Sequence, residues 1–156
     1  MMTRLSRRVE DLGISFEIEC PDDWREFELA GSLLTLAGHL GEPEGSLVPT
    51  VQVRITPAKD AVSGFGELRS GLVALPEVAL LGESADVDSK PAYYMLGAAY
   101  VNPSTSGTEV QTLLSIFSSS PPCLVTAVGI CGGGAPEEVV EKLVALVQTL
   151  RIQNAA

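Results

Sequence analysis

The chain is poor in the residue types from which most catalytic and metal sites are built. It has one histidine, His39, and three cysteines. No apolar run approaches the roughly 18 residues that a membrane-crossing helix needs, so no membrane span is expected. Cys20, Cys123 and Cys131 are odd in number, sit among apolar or strand-like neighbours, and contain no C-x-x-C pair, so a disulfide framework is not expected either. The opening "MMTRLSRRVEDLG" carries arginines, but no apolar stretch or small-residue cleavage site follows them. The expectation is therefore a cytoplasmic chain without an export signal.

Basic charge is also scarce. Ten Lys and Arg stand against twenty Asp and Glu, a formal charge of −10, which on average repels nucleic acid and anionic membranes. The expected partner is a protein with a neutral or basic surface. Arg4, Arg7 and Arg8 form the one basic cluster, and residues 1–12 read as a solvated segment free to fray.

What is present is globular. Apolar residues make up 46% and charged residues 19% of 156 positions, enough for a single domain over 1–156 with its own core. "ISFEIEC" alternates, with Ile14, Phe16, Ile18 and Cys20 on one face and Ser15, Glu17 and Glu19 on the other, as a half-buried strand does. "PDDW" ends it. The runs "EFELA" and "SLLTLAG" read as two further strands around a bend at Gly31, and "TVQVRITP" as another half-buried strand after a Gly/Pro-rich loop.

From Ala61 to Leu75 the period lengthens to that of a helix, with Val62, Phe65, Leu68, Leu72 and Val73 on one stripe and Pro76 as the stop. Gly64, Gly66 and Gly71 weaken it, so packing has to hold it. Four strands follow: "EVALLGESADVD", "KPAYYMLGAAYVN", "TEVQTLLSIFSSS" and the apolar "CLVTAVGI". A last helix spans Pro136 to Leu150, with Glu137 and Glu138 at its positive end and an apolar stripe from Val139 to Leu150. Short antiparallel connections and two amphipathic helices define an α+β class, with both helices against one curved, mostly antiparallel sheet.

This order of elements, the "PDDW" turn and the "PTVQVRITP" strand together resemble the Mog1/PsbP-like fold, closest to its bacterial DUF1795 and LpqN-like members. The resemblance covers nearly the whole chain. It implies a small binding or assembly protein, since members include a Ran-binding import factor, a photosystem subunit, secretion chaperones and envelope lipoproteins. The expectation of a chain without an export signal departs from the lipoproteins.

The stretch "GICGGGAPEE" draws attention as a site. A Walker loop needs Lys-Ser/Thr where Ala135 and Pro136 stand, and the run Gly132, Gly133, Gly134 lacks dinucleotide-binding spacing. A cysteine phosphatase needs an arginine where Glu137 stands, and carboxylates there repel the phosphate. The three glycines read more simply as a turn in which positive φ is tolerated.

No catalytic residue, cofactor or metal site is assigned. The acidic groups are scattered, and no D-x-D-x-D-G loop is present. The alternative is a thiol enzyme pairing Cys131 with His39. The leading reading is a non-enzymatic, chaperone-like or assembly protein whose partner-binding residues are Glu17, Glu19, Asp22, Asp23 and Trp24. A third reading is a homo-oligomer joined through an edge strand such as "EFELA".

Overall fold

A computed structural model describes residues 1–154. In chain order the strands are β1 (Met2–Val9), β2 (Ile14–Pro21), β3 (Arg25–Phe27), β4 (Leu34–Ala37) and β5 (Thr50–Pro57); helix α1 (Ala61–Val73) follows. Then come β6 (Ala79–Asp86), β7 (Tyr93–Val101), β8 (Thr108–Ser119), β9 (Pro122–Gly132), helix α2 (Glu137–Val147) and β10 (Arg151–Asn154). The class is α+β with antiparallel pairing throughout, and the strands divide between two sheets. The larger runs β3-β4-β5-β9-β8-β7-β6 and the smaller β1-β2-β10.

The period-2 alternation of β9 decides where the two helices go. Cys123, Val125, Ala127 and Cys131 face one way, into a core with α2 and the inward residues Ile14, Phe16 and Ile18 of β2. Leu124 and Val128 face the other way, against Phe65 and Leu72 of α1. The helices thus lie on opposite faces of the large sheet, and the small sheet joins α2 on its side. Being covered on both faces explains why "CLVTAVGI" is apolar without a break.

Glycine sets the distance of each helix from the sheet. A Cβ on Gly129 would sit 2.8 Å from Leu143 Cγ and 2.9 Å from Val147 Cγ2, so α2 packs directly on the backbone of β9. A Cβ on Gly64 would meet Ala58 Cβ at 2.9 Å and Leu124 Cδ1 at 3.0 Å, which fixes α1 in the same way. Asp60 caps α1 by accepting a hydrogen bond from the Ser63 amide at 2.7 Å. Val62, assigned to the buried stripe on sequence, is instead 66% exposed.

The N-terminal segment differs from its expectation. Residues 2–9 are not frayed but pair with β2 from Met2↔Pro21 to Val9↔Ile14. A turn at Glu10–Leu12 and left-handed Gly13 (φ 63°) close this hairpin, and Leu5, Val9 and Leu12 pack on the core. Arginines hide the alternation of "RLSRRV", because their charged heads reach solvent or a carboxylate while their stems lie along the sheet.

Candidate functional site

The glycine corner after β9 is built by close approach rather than by unusual φ. The left-handed glycines are Gly13, Gly31, Gly41 and Gly45, not those of the Gly132–Gly134 run. Gly133 donates its amide to the Thr108 carbonyl at 2.9 Å, and a Cβ there would lie 2.4 Å from Thr108 Oγ1. The corner therefore needs glycine because the start of β8 crosses it, which corrects the positive-φ reading.

Cys131, at that corner, has no exposed surface. Burial pushes its thiol pKa up, and the carboxylate of Glu42 adds to the rise. His39 is turned to solvent, with Nδ1 2.5 Å from Glu42 Oε2. The Glu42 side chain is only 4% exposed and also accepts the Leu40 amide at 2.8 Å. Burial alone would raise Glu42, but the hydrogen bonds from His39 and Leu40 outweigh it and hold the carboxyl below its ordinary value. The same hydrogen bond to Glu42 raises His39. A thiolate nucleophile needs an accessible sulfur of lowered pKa hydrogen-bonded to a base. Cys131 has the opposite surroundings, wholly buried and with its pKa raised.

Of the partner-binding residues named on sequence, Glu17 and Glu19 do share the outer face of β2. Arg4 of β1 bridges both, at 3.1 Å to Glu17 Oε2 and 3.4 Å to Glu19 Oε1, so this face carries less free negative charge than its sequence suggests. Asp22 and Asp23 are exposed in the turn that follows, and Asp22 accepts a hydrogen bond from Thr3 Oγ1. Trp24 is separated from them by burial. It is 7% exposed, donates Nε1–H to the His39 carbonyl at 3.3 Å, and lies against Gly38, where a Cβ would fall 2.2 Å from its ring. Trp24 closes the core and offers no surface to a partner.

The surface that sequence reasoning missed is the β3–β4 hairpin. Only Arg25–Phe27 pair as β3, and the connection passes through left-handed Gly31. Phe27, Leu29 and Leu33 are 53%, 48% and 40% exposed, among the exposed carboxylates of Asp22, Asp23, Glu26 and Glu28. Glu26 is held by Arg7 of β1 at 2.5 Å, which ties the hairpin to the small sheet. The signal was in "REFEL", where a charge on each side of Phe27 argues against a buried strand.

The other conspicuous aromatics serve packing. Tyr94 and Tyr100 lie buried on the α1 side of the large sheet, with Tyr94 stacked on Phe65 at 5.5 Å. Their hydroxyls donate to Glu83 and Glu109, and burial followed by these carboxylates raises both phenols. Among the described residues no group of three His, Cys, Asp or Glu side chains converges as a metal site would, and no helix is long and apolar enough to cross a membrane.

No family model matches the chain, and no curated protein is similar to it in sequence. Solved structures do match. LpqN, involved in cell envelope biogenesis of Mycobacterium tuberculosis, is 15% identical with a TM-score of 0.66, over 97% of this chain and 91% of that one. The Ran-binding protein Mog1p of Saccharomyces cerevisiae is 12% identical with a TM-score of 0.61, over 97% and 96%. A putative regulator of unknown function from Pseudomonas aeruginosa is 13% identical with a TM-score of 0.52, over 93% and 92%. At these identities the likeness is one of fold. The chain has the Mog1/PsbP-like fold.

Proposed function

We propose that this protein is a non-enzymatic, chaperone-like or assembly protein that docks a protein partner at the acidic end formed by the β2–β3 turn and the β3–β4 hairpin. One observation carries the reading: Phe27, Leu29 and Leu33 stand exposed on the hairpin, close in sequence to the exposed Asp22, Asp23, Glu26 and Glu28, with Arg25 the one exposed cation of the segment. Apolar anchors on a segment with more acidic than basic side chains, where Arg7 pairs with Glu26 and Asp22, Asp23 and Glu28 form no ion pair among the described residues, favour a partner whose own apolar patch is rimmed with Lys and Arg. Glu17 and Glu19 continue the proposed surface along β2 as a face of mixed charge, since Arg4 pairs with both and Arg151 stands opposite Glu17 on β10, and Trp24 supports the turn from within. A second copy of the chain fits poorly, because two such ends would bring like charges together.

The fold shared with a Ran-binding protein supports protein binding as the general role. The cytoplasm is the compartment we propose, and three buried, unpaired thiols support it.

The test compares capture by wild type and by Phe27→Asp/Leu29→Ser, followed by titration of the purified captured protein. Affinity that falls with salt, and falls at least about 30-fold in the variant, is the expected outcome, the size being that of a hot-spot residue. A captured protein that binds both forms equally would overturn the docking surface.

A further inference from the structure

Beneath α1, away from the hairpin, lies a cavity of about 330 Å³ between the helix and the strands β5, β9 and β8. Its walls are apolar: Leu68, Leu72 and Leu75 from α1, and Leu113 and Val128 from the sheet. Thr56, Gln111 and Thr126 supply hydroxyl and amide groups between them, and Arg54 and Glu67 complete the lining. Volume, apolar walls and a few polar groups are the attributes of a small-molecule pocket.

Two features of the lining bear on what the cavity could hold. The first is Gly71, which lines the cavity inside the last turns of α1. Glycine in a helix costs about 1 kcal/mol relative to alanine. At Gly64 close packing demands it, but a Cβ on Gly71 would meet nothing within 4 Å. Glycine at 71 leaves the space on this wall unfilled; Gly66 has open space around its Cβ too but does not line the cavity.

The second feature is charge. Arg54 donates Nε–H and Nη2–H to the Gln52 side chain at 3.0 and 2.5 Å and pairs with no carboxylate among the described residues. Glu67, on the opposite wall, likewise forms no ion pair there. An exposed cation and an exposed anion, one on the sheet and one on the helix and neither in an ion pair among the described residues, border the same apolar cavity.

We propose that this cavity binds a small zwitterion with an apolar side chain, of the free apolar α-amino acid class. The carboxylate meets Arg54 and Thr56, the ammonium group meets Glu67, and the side chain enters between the leucines. Complementary charges fix the orientation of the ligand, and burial of its side chain supplies most of the affinity.

The experiment titrates the full chain with L-phenylalanine by calorimetry, beside 3-phenylpropionate, which lacks the ammonium, and phenethylamine, which lacks the carboxylate. Saturable binding of L-phenylalanine is expected, at least about tenfold weaker for either truncated probe and for Arg54→Gln or Glu67→Gln. Gly71→Leu fills the cavity and abolishes binding while melting no lower than wild type. Gly66→Leu is the matched control, since Gly66 also has open space around its Cβ but does not line the cavity; it binds as wild type does. No saturable binding at millimolar L-phenylalanine overturns the proposal. So does equal affinity for 3-phenylpropionate, undiminished binding by Gly71→Leu, or a lowered melting temperature in that variant, which would give Gly71 a packing role instead.

Discussion

Nδ1 of His39 lies 2.5 Å from Oε2 of Glu42, and through this contact the only histidine is bound to a carboxylate that is almost wholly buried. The hydrogen bond raises His39 above its ordinary 6.5, while Glu42 is held below its ordinary 4.5. For His39, the contribution is fully present below the unfolded value near 6.5 and is lost as pH rises through the folded value. For Glu42, it is present above about 4.5 and is lost as pH falls through the lowered folded value. The contact is therefore strongest in mildly acidic to neutral solution. An NMR titration should give a His39 midpoint above 6.5 that returns toward 6.5 in Glu42→Gln; an unchanged midpoint in that variant would remove Glu42 as the cause.

Burial and raised pKa at Cys131 predict slow chemistry. In the native protein at pH 8, Cys20, Cys123 and Cys131 should all label with iodoacetamide far more slowly than a free thiol, and at the free rate only in denaturant. Rapid labelling of Cys131 that depends on His39 would restore the thiol-enzyme reading.

The contacts of Gly129 with Leu143 and Val147 predict that Gly129→Ala destabilises the fold by about 1–3 kcal/mol, as overpacking does. Gly66→Ala, with nothing within 4 Å, should instead stabilise it by up to about 1 kcal/mol. Urea denaturation of the two variants measures opposite shifts in midpoint. A Gly129→Ala variant no less stable than wild type would mean that α2 does not rest on the β9 backbone as described.

Residues 2–9 should behave as structure. Deleting them removes the packing of Leu5 and Val9 and bares one edge of β2, a loss of more than about 2 kcal/mol with a tendency to aggregate. Arg4→Gln alone breaks only exposed pairs and should cost under about 1 kcal/mol. Amide exchange supplies a second check: protection across Thr3–Arg8 is expected, and its absence would return the segment to a frayed terminus.

The elements with clean periodicity were legible in the sequence. "ISFEIEC" and "TVQVRITP" became β2 and β5 because a period of two with one apolar face has one reading, and the apolar stripe from Val139 became α2 for the same reason at a period of 3.6, though the helix ends at Val147, short of the expected Leu150. β1 and β10 were not legible. Their residues alternate weakly, and what makes them strands is the open backbone of β2 on either side, a partner far away in sequence. The exposure of Phe27 was hidden likewise, since an apolar residue in a strand reads as buried until the sheet shows which side is covered.

The sequence by itself determined the composition of the core, the types of most elements and the α+β class, because these rest on local periodicity and on charge. Only the tertiary structure decided that the helices take opposite faces, that Arg4 offsets Glu17 and Glu19, that Cys131 is wholly buried, and that a cavity lies under Gly71. Each of these depends on which distant backbones come within a few ångströms of one another, and no local pattern encodes that distance.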